Sequence, residues 1–318
     1  MRDQKRWGIA VVVAAGLMAA TVSGGAAQDA GTVRIAVNPW VGSSANAAVV
    51  AHLLETELGY TVEKKLLNEG IDWQGFETGE VDAILEVWGH AEDKALYVDS
   101  LVVAQDAGPM GVVGTIGWYV PGWIAEEYPD ITDWESLNGL ADLFRTSESG
   151  DKGQFLLGDP SYVSNDEALI RNLSLDFVVV AGGSEAALIE SFKQATTQRT
   201  PLLAYFYNPQ WAWSQSPLLE EPLVRVNLPA WTEGCDGDAE AVACDYPDYQ
   251  LYKAISTSFA ETGGPAADLI KNFSWSNLDQ STVSGYIEVD GMSEEDAASK
   301  WVAENPDTWA AWMPAPVG

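Results

Sequence analysis

A chain of 318 residues with 47 acidic against 16 basic side chains, net −31, lacks the cationic surface that nucleic acids and anionic membranes require. Two cysteines and two histidines, His52 and His90, leave no spacing suited to a metal site, and no cofactor motif is present. The length suits two lobes rather than one core.

The first residues read as an export signal. Arg2, Lys5 and Arg6 form a positive start, Ile9 to Val22 an apolar core, and Gly25-Ala26-Ala27 a small-residue cleavage site, so residues 1–27 are expected to be removed. The apolar run is short for a membrane span, and no cysteine nearby offers a lipid anchor. A soluble, monomeric, exported protein is expected, periplasmic where the cell has two membranes. Without Arg2, Lys5, Arg6 and Asp3 the chain carries 13 Lys+Arg against 46 Asp+Glu, a net −33. That balance serves solubility and is compatible with a cationic ligand.

Val33, Ile35 and Val37 alternate in a first strand that Asn38-Pro39 ends. Ser43 or Ser44 is placed to cap a helix with Val49, Val50, Leu53, Leu54 and Leu58 on its apolar stripe. "YTVEKKLL" and "VDAILEVW" read as two further strands around a short helix at "DWQGFETGE". A second α/β unit begins near Gly117, with strands at "GQFLLGDP", "DFVVVAG" and "PLLAYFY" and capping boxes predicted at Thr132/Glu135 and Ser164/Glu167. The alternation predicts a mostly parallel α/β sheet covered by helices. One lobe is expected at 32–116 plus 212–318 and the other at 117–211, joined by two strand-like crossovers that permit hinge closure. Cys235 and Cys244 lie in a Gly/Asp-rich loop, the setting of a local disulfide in an exported chain.

Fourteen tryptophans are many, and their places matter more than their number. Trp40 and Trp88 each follow a strand, Trp118 and Tyr119 lie at the crossover, Tyr162 follows the "GDPS" turn, and "YFYNPQWAW" sets Tyr207 and Trp211 after the last strand of the second unit. Ligands of open α/β sheets bind beyond the carboxyl ends of strands, so aromatic side chains recur at the edge where two lobes close. Ring faces suit a methylated ammonium, whose charge is spread over methyl groups and which has no N–H to satisfy. In a betaine the remaining group is a carboxylate, for which the amides of Gly42, Ser43 and Ser44 at a helix start are candidates. Glu86 shares a strand face with Trp88 and is a candidate to meet the cation, against the plainer reading of a hydrogen-bonded strand residue. A strand-end tryptophan commonly packs in a core, so the pattern carries more than any one ring. Trp73, Trp134, Trp275, Trp301, Trp309 and Trp312 read as packing.

"NPWVGSSANAAVV", "GEVDAILEVWGH" and "YFYNPQW" resemble the substrate-binding proteins of glycine betaine, proline betaine and choline ABC importers. The resemblance spans the chain beyond the export signal. It implies a two-lobed type II periplasmic binding protein fold with a ligand cleft between the lobes, and as partners a quaternary ammonium ligand, an ABC permease and its ATPase. Trp40 and Trp88 match two cage tryptophans of that family. Tyr207 stands where many members have the Trp of a W-x-P motif, and Trp211 takes that motif's later position. Choline binders carry an acidic residue where this chain has Gly42, and their aromatic of the second lobe aligns near Gly114, which leaves Trp118, Tyr119 or Tyr162 for that role. The expected function is non-catalytic capture of glycine betaine or a relative such as choline, carnitine or trimethylamine N-oxide. An exported enzyme or lectin-like protein acting on sugars or methylated amines is the other class, for which no nucleophile motif or phosphate loop speaks.

Overall fold

The computed structural model describes residues 31–213 and 222–315. The expected export signal at 1–27 lies outside them. Among the described residues there are nine strands: β1 Thr32–Val37, β2 Thr61–Leu66, β3 Ala83–Val87, β4 Ala104–Pro121, β5 Gly153–Leu157, β6 Phe177–Ala181, β7 Ala204–Asn208, β8 Leu223–Val226 and β9 Tyr249–Ser256. Their order is β2-β1-β3-β9-β4-β7-β5-β6, with β8 pairing β4 off that path.

β4, 18 residues long, joins the two halves. Its first part pairs with β9 beside β3, and its last part pairs with β7 and β8. The expected mostly parallel sheet is therefore mixed: β1 with β2 and β3, and β5 with β6 and β7, are parallel, but every pairing of β4 and β9 is antiparallel. The reason is topological. β4 leaves the first lobe and β9 returns to it alongside, so the crossover strands run in opposite directions. β8 also keeps Leu223–Val226 in the second sheet.

Val33, Ile35 and Val37 of β1 are buried on one face, as their alternation predicts. They pack in one core with the Val41–Thr56 helix, from which Val49, Val50, Leu53 and Leu54 are fully buried. C-terminal helices Asn277–Glu288 and Glu294–Glu304 cover that helix from outside, so it is buried nearly all round rather than along one stripe. Trp73, Phe76 and Tyr97 form a smaller core on the other face of the first sheet. The two predicted capping boxes are replaced by shorter links. Asp133, not Thr132, accepts the Glu135 N–H at 3.2 Å, and Ser164 accepts that of Asp166 at 3.2 Å. Cys235 and Cys244 are bonded to each other, and Arg171 of the second lobe holds that loop through Glu240 at 2.9 Å. Among the described residues no helix is long and apolar enough to cross a membrane.

Candidate functional site

β1 and β3 run parallel side by side, so their carboxyl ends deliver Trp40 and Trp88 to the same edge of the first sheet. β5 and β7 do the same across the cleft, bringing Tyr162, Tyr205 and Tyr207. These five rings, with Glu69 and Val163, line a pocket of about 240 Å³ between the lobes. Three pairs of these rings meet near right angles. Trp40 stands edge-on to Tyr162 at 5.7 Å and 83°, Trp88 to Tyr207 at 5.6 Å and 84°, and Tyr162 to Tyr207 at 6.0 Å and 81°. Small residues make room behind them: a side chain at Gly114 would strike the Trp88 indole, and one at Gly158 would come within 2.8 Å of Tyr162.

Glu86 lies behind the tryptophans. One carboxylate oxygen accepts the indole N–H of Trp88 at 2.7 Å and that of Trp40 at 3.0 Å. The other accepts from Asn46 at 2.5 Å and Gln280 at 2.9 Å. Burial raises Glu86 to about 7, and the N–H donors hold it from rising further. Its four donors suit an acceptor-only carboxylate. Glu86 thus orients both rings instead of facing the pocket, the plainer of the two sequence readings.

A second buried carboxylate crosses the cleft. Glu185, first residue of the Glu185–Gln198 helix, accepts the Val41 N–H at 2.9 Å, so a carboxylate from the second lobe sits at the start of the first lobe's longest helix. Its other oxygen accepts from the Tyr207 hydroxyl and from Gln210 at 3.2 Å. Burial raises Glu185 above the usual carboxylate range, against the pull of these donors. Glu69 differs from both because it lines the pocket. His90 lies 3.0 Å from Glu69 and 2.8 Å from Asp93. Burial alone would lower His90, but the two carboxylates prevail and raise it to about 9, so it is a cation at neutral pH.

Of the residues expected at the site, Trp40, Trp88, Tyr162 and Tyr207 share the pocket, and the others lie outside it. Trp118 is fully buried against Phe155 at 4.5 Å, its indole N–H donated to Asp166 at 2.6 Å. Tyr119 packs on Trp213 at 5.2 Å, and Trp211 is buried in the main core. β4 residues point alternately to opposite faces, and neither Trp118 nor Tyr119 reaches the strand ends where the pocket lies. Gly42 packs under Gln280, the Ser43 hydroxyl accepts the Asn38 N–H at 2.9 Å, and the Ser44 N–H goes to Trp40 at 3.3 Å. None of these three residues lines the pocket. Tyr205 joins Tyr207 because residues two apart on a strand share a face, a signal present in "YFY". Glu69 follows β2 in a turn without any motif.

Chemically the pocket offers aromatic faces, one carboxylate and one phenol. The Tyr162 hydroxyl lies near that of Tyr207 yet meets no partner at hydrogen-bond geometry. No lysine or arginine lines the walls. Among the described residues no group of three or more His, Cys, Asp or Glu is placed to hold a metal ion.

Residues 31–304 match the family described as the substrate binding domain of ABC-type glycine betaine transport systems. A trimethylamine N-oxide-binding protein of Pelagibacter ubique is 26% identical over 306 residues, covering 89% of this chain and 91% of that one. Two solved structures share the fold. Lactococcal OpuAC, closed on glycine betaine, has a TM-score of 0.69 at 17% identity, with 89% of this chain and 99% of that one covered. An ABC-transporter choline binding protein with choline has 0.70 at 18%, with 90% and 94% covered. The family's members are extracytoplasmic solute-binding proteins rather than enzymes. This chain belongs to the family of substrate-binding domains of ABC-type glycine betaine transport systems.

Proposed function

We propose that this protein captures a small methylated ammonium compound in the pocket framed by Trp40, Trp88, Tyr162 and Tyr207, and hands it to an ABC permease driven by a cytoplasmic ATPase. The observation that carries the reading is the perpendicular arrangement of rings from both lobes. Each face attracts a desolvated cation by roughly 0.5–2 kcal/mol, and methyl groups fill the angles between faces without an unmet N–H. The five rings enclose only a small space, which suits a compact molecule. Glycine betaine, choline and trimethylamine N-oxide belong to this class. Export through an N-terminal signal to the periplasm completes the reading.

Hinge closure couples binding to recognition by the permease, because Trp40 and Trp88 belong to one lobe and the tyrosines to the other. Titration of the purified protein with betaine, choline, carnitine and trimethylamine N-oxide, followed by tryptophan fluorescence, tests the proposal. Saturable quenching or enhancement by at least one of them is expected. Binding of a sugar together with failure of every methylated ammonium would overturn it.

A further inference from the structure

We infer that the pocket selects methylated ammonium ions that carry no carboxylate of their own, with at most a single oxygen as their polar group. The inference rests on the reading of the pocket as an ammonium site and narrows its ligand.

A carboxylate taken out of water needs charged or multiple hydrogen-bond donors. The side-chain donors of four of the five rings are already committed. Both indole N–H groups go to Glu86, the Tyr207 hydroxyl goes to Glu185, and the Tyr205 hydroxyl donates to the Val163 carbonyl at 3.3 Å. At the helix start beside Trp40, Glu185 takes the Val41 N–H. In effect the second lobe supplies its own carboxylate to the place where a ligand's would be held. Glu69 adds a carboxylate to the wall itself. Its partner His90 is shared with Asp93, so one imidazolium faces two acidic groups. A zwitterion closed into this space would set its carboxylate among like charges, with the Tyr162 hydroxyl as the one uncommitted side-chain donor of the five rings. An ammonium ion without a carboxylate meets the same charges as attraction. Tyr162 and Glu69 together offer one donor and one acceptor, a complement for a single hydroxyl, and Tyr162 alone for an oxide oxygen.

Calorimetric titration with tetramethylammonium, choline, trimethylamine N-oxide and glycine betaine tests this directly. The tightest of the first three is expected to bind with a Kd at least tenfold below that of betaine. Betaine binding as tightly as, or more tightly than, all three would overturn the inference while leaving the ammonium site standing. If none of the four bound, the reading of the pocket would fall and this inference with it. Glu69→Gln keeps the shape of the wall and removes its charge, and is expected to narrow the preference at least fivefold in favour of betaine. Glu185→Gln, which weakens the internal occupant of the helix start, is expected to move it the same way. A wild-type preference that neither variant shifts would overturn the assignment of selectivity to these carboxylates. Should Glu185→Gln fail to fold by circular dichroism, Glu69→Gln decides alone.

Discussion

Two aromatic clusters of this protein look alike in ring geometry and differ in everything else. In the first lobe Phe273, Trp275, Trp301 and Trp312 meet at 4.9–5.7 Å, with Trp301 and Trp312 stacked 10° from parallel. The cleft rings meet at similar distances and are also buried. The difference lies in where the rings come from and what holds their polar ends. The first cluster is drawn from neighbouring C-terminal segments, and two of its three indoles bond close by, Trp312 to the Ser274 carbonyl at 3.0 Å and Trp301 to Asp279 at 3.3 Å. The cleft cluster is drawn from four strand ends in two lobes, and its polar ends converge on the buried carboxylates Glu86 and Glu185. Neither ring count nor ring spacing marks a site. Convergence of distant segments on buried charge does.

The sharpest contrast is between stability and affinity. Trp301→Ala empties a fully buried position and is expected to cost about 3–5 kcal/mol of unfolding free energy. Ligand affinity of the protein that remains folded should stay within about twofold of wild type, since no partner of Trp301 reaches the pocket. Trp40→Ala or Trp88→Ala is expected to do the reverse, weakening binding of the best methylated ammonium by more than about tenfold while the fold survives. Urea unfolding and fluorescence titration of the three variants check both halves. Unaltered affinity in either cleft variant would remove that ring from the site.

The two clusters were not equally legible in sequence. Strand alternation in Val33–Val37 and the Asn38-Pro39 stop place Trp40 at a strand end, and "ILEVW" does the same for Trp88, because both signals are local. Tyr205 was legible by the strand period but is overshadowed by the neighbouring Tyr207. Glu185 could not be read as a partner of the Trp40 helix, because 144 positions separate it from Val41 and only the closing of two lobes joins them. Glu69 sits in a turn whose composition is ordinary. Trp118 and Tyr119 look as promising as Tyr162 until β4 is seen to continue through both sheets, which places their side chains in the core of the second lobe. The mixed sheet escapes sequence pattern for the same reason: strand direction at a crossover depends on the return path, not on local residues.

Glu86 is the residue through which the contrast is next sharpened. Glu86→Gln keeps volume and removes the charge, and its amide oxygen cannot accept all four donors. Both indoles then lose part of their anchoring and the negative charge behind their faces. A loss of about 1 kcal/mol in ligand binding is expected, roughly fivefold in Kd. The same titration on Glu86→Gln and on Asp279→Asn, whose carboxylate meets the Trp301 indole and the Ser276 cap of its own helix but no ring of the cleft, separates the clusters. An effect of equal size in both would dissolve the distinction.

The gentlest contrast is in the response to pH, where the titratable groups beside the two clusters act in opposite directions. Glu86 is raised from the usual carboxylate range to about 7 by burial, and Asp72 to about 6 for the same reason. His90 is raised to about 9 by Glu69 and Asp93, which outweigh its burial. In each case the folded protein keeps a proton that the unfolded chain has released, so these groups contribute stability that is fully present at low pH and lost as pH rises through the folded value. Lys253, whose ammonium donates to the carbonyls of Lys271 and Phe273 beneath the other cluster, is lowered to about 8 by burial. Between about 8 and the ordinary lysine range the unfolded chain holds the extra proton, so stability recovers with rising pH there. Melting temperature should therefore fall by a few degrees from about pH 5 to 7 through Glu86 and Asp72, and continue to fall towards pH 9 through His90, with Lys253 opposing the last part. Glu86→Gln is expected to flatten the first limb and spare the second. His90→Gln should flatten the second and spare the first, whereas Lys253→Met should steepen the fall above about pH 8. If Glu86→Gln left the slope between pH 5 and 7 unchanged, the carboxylate behind the tryptophans would have to be ionised throughout that range. Its role as an anchor would then stand, without any coupling of the cleft to protons.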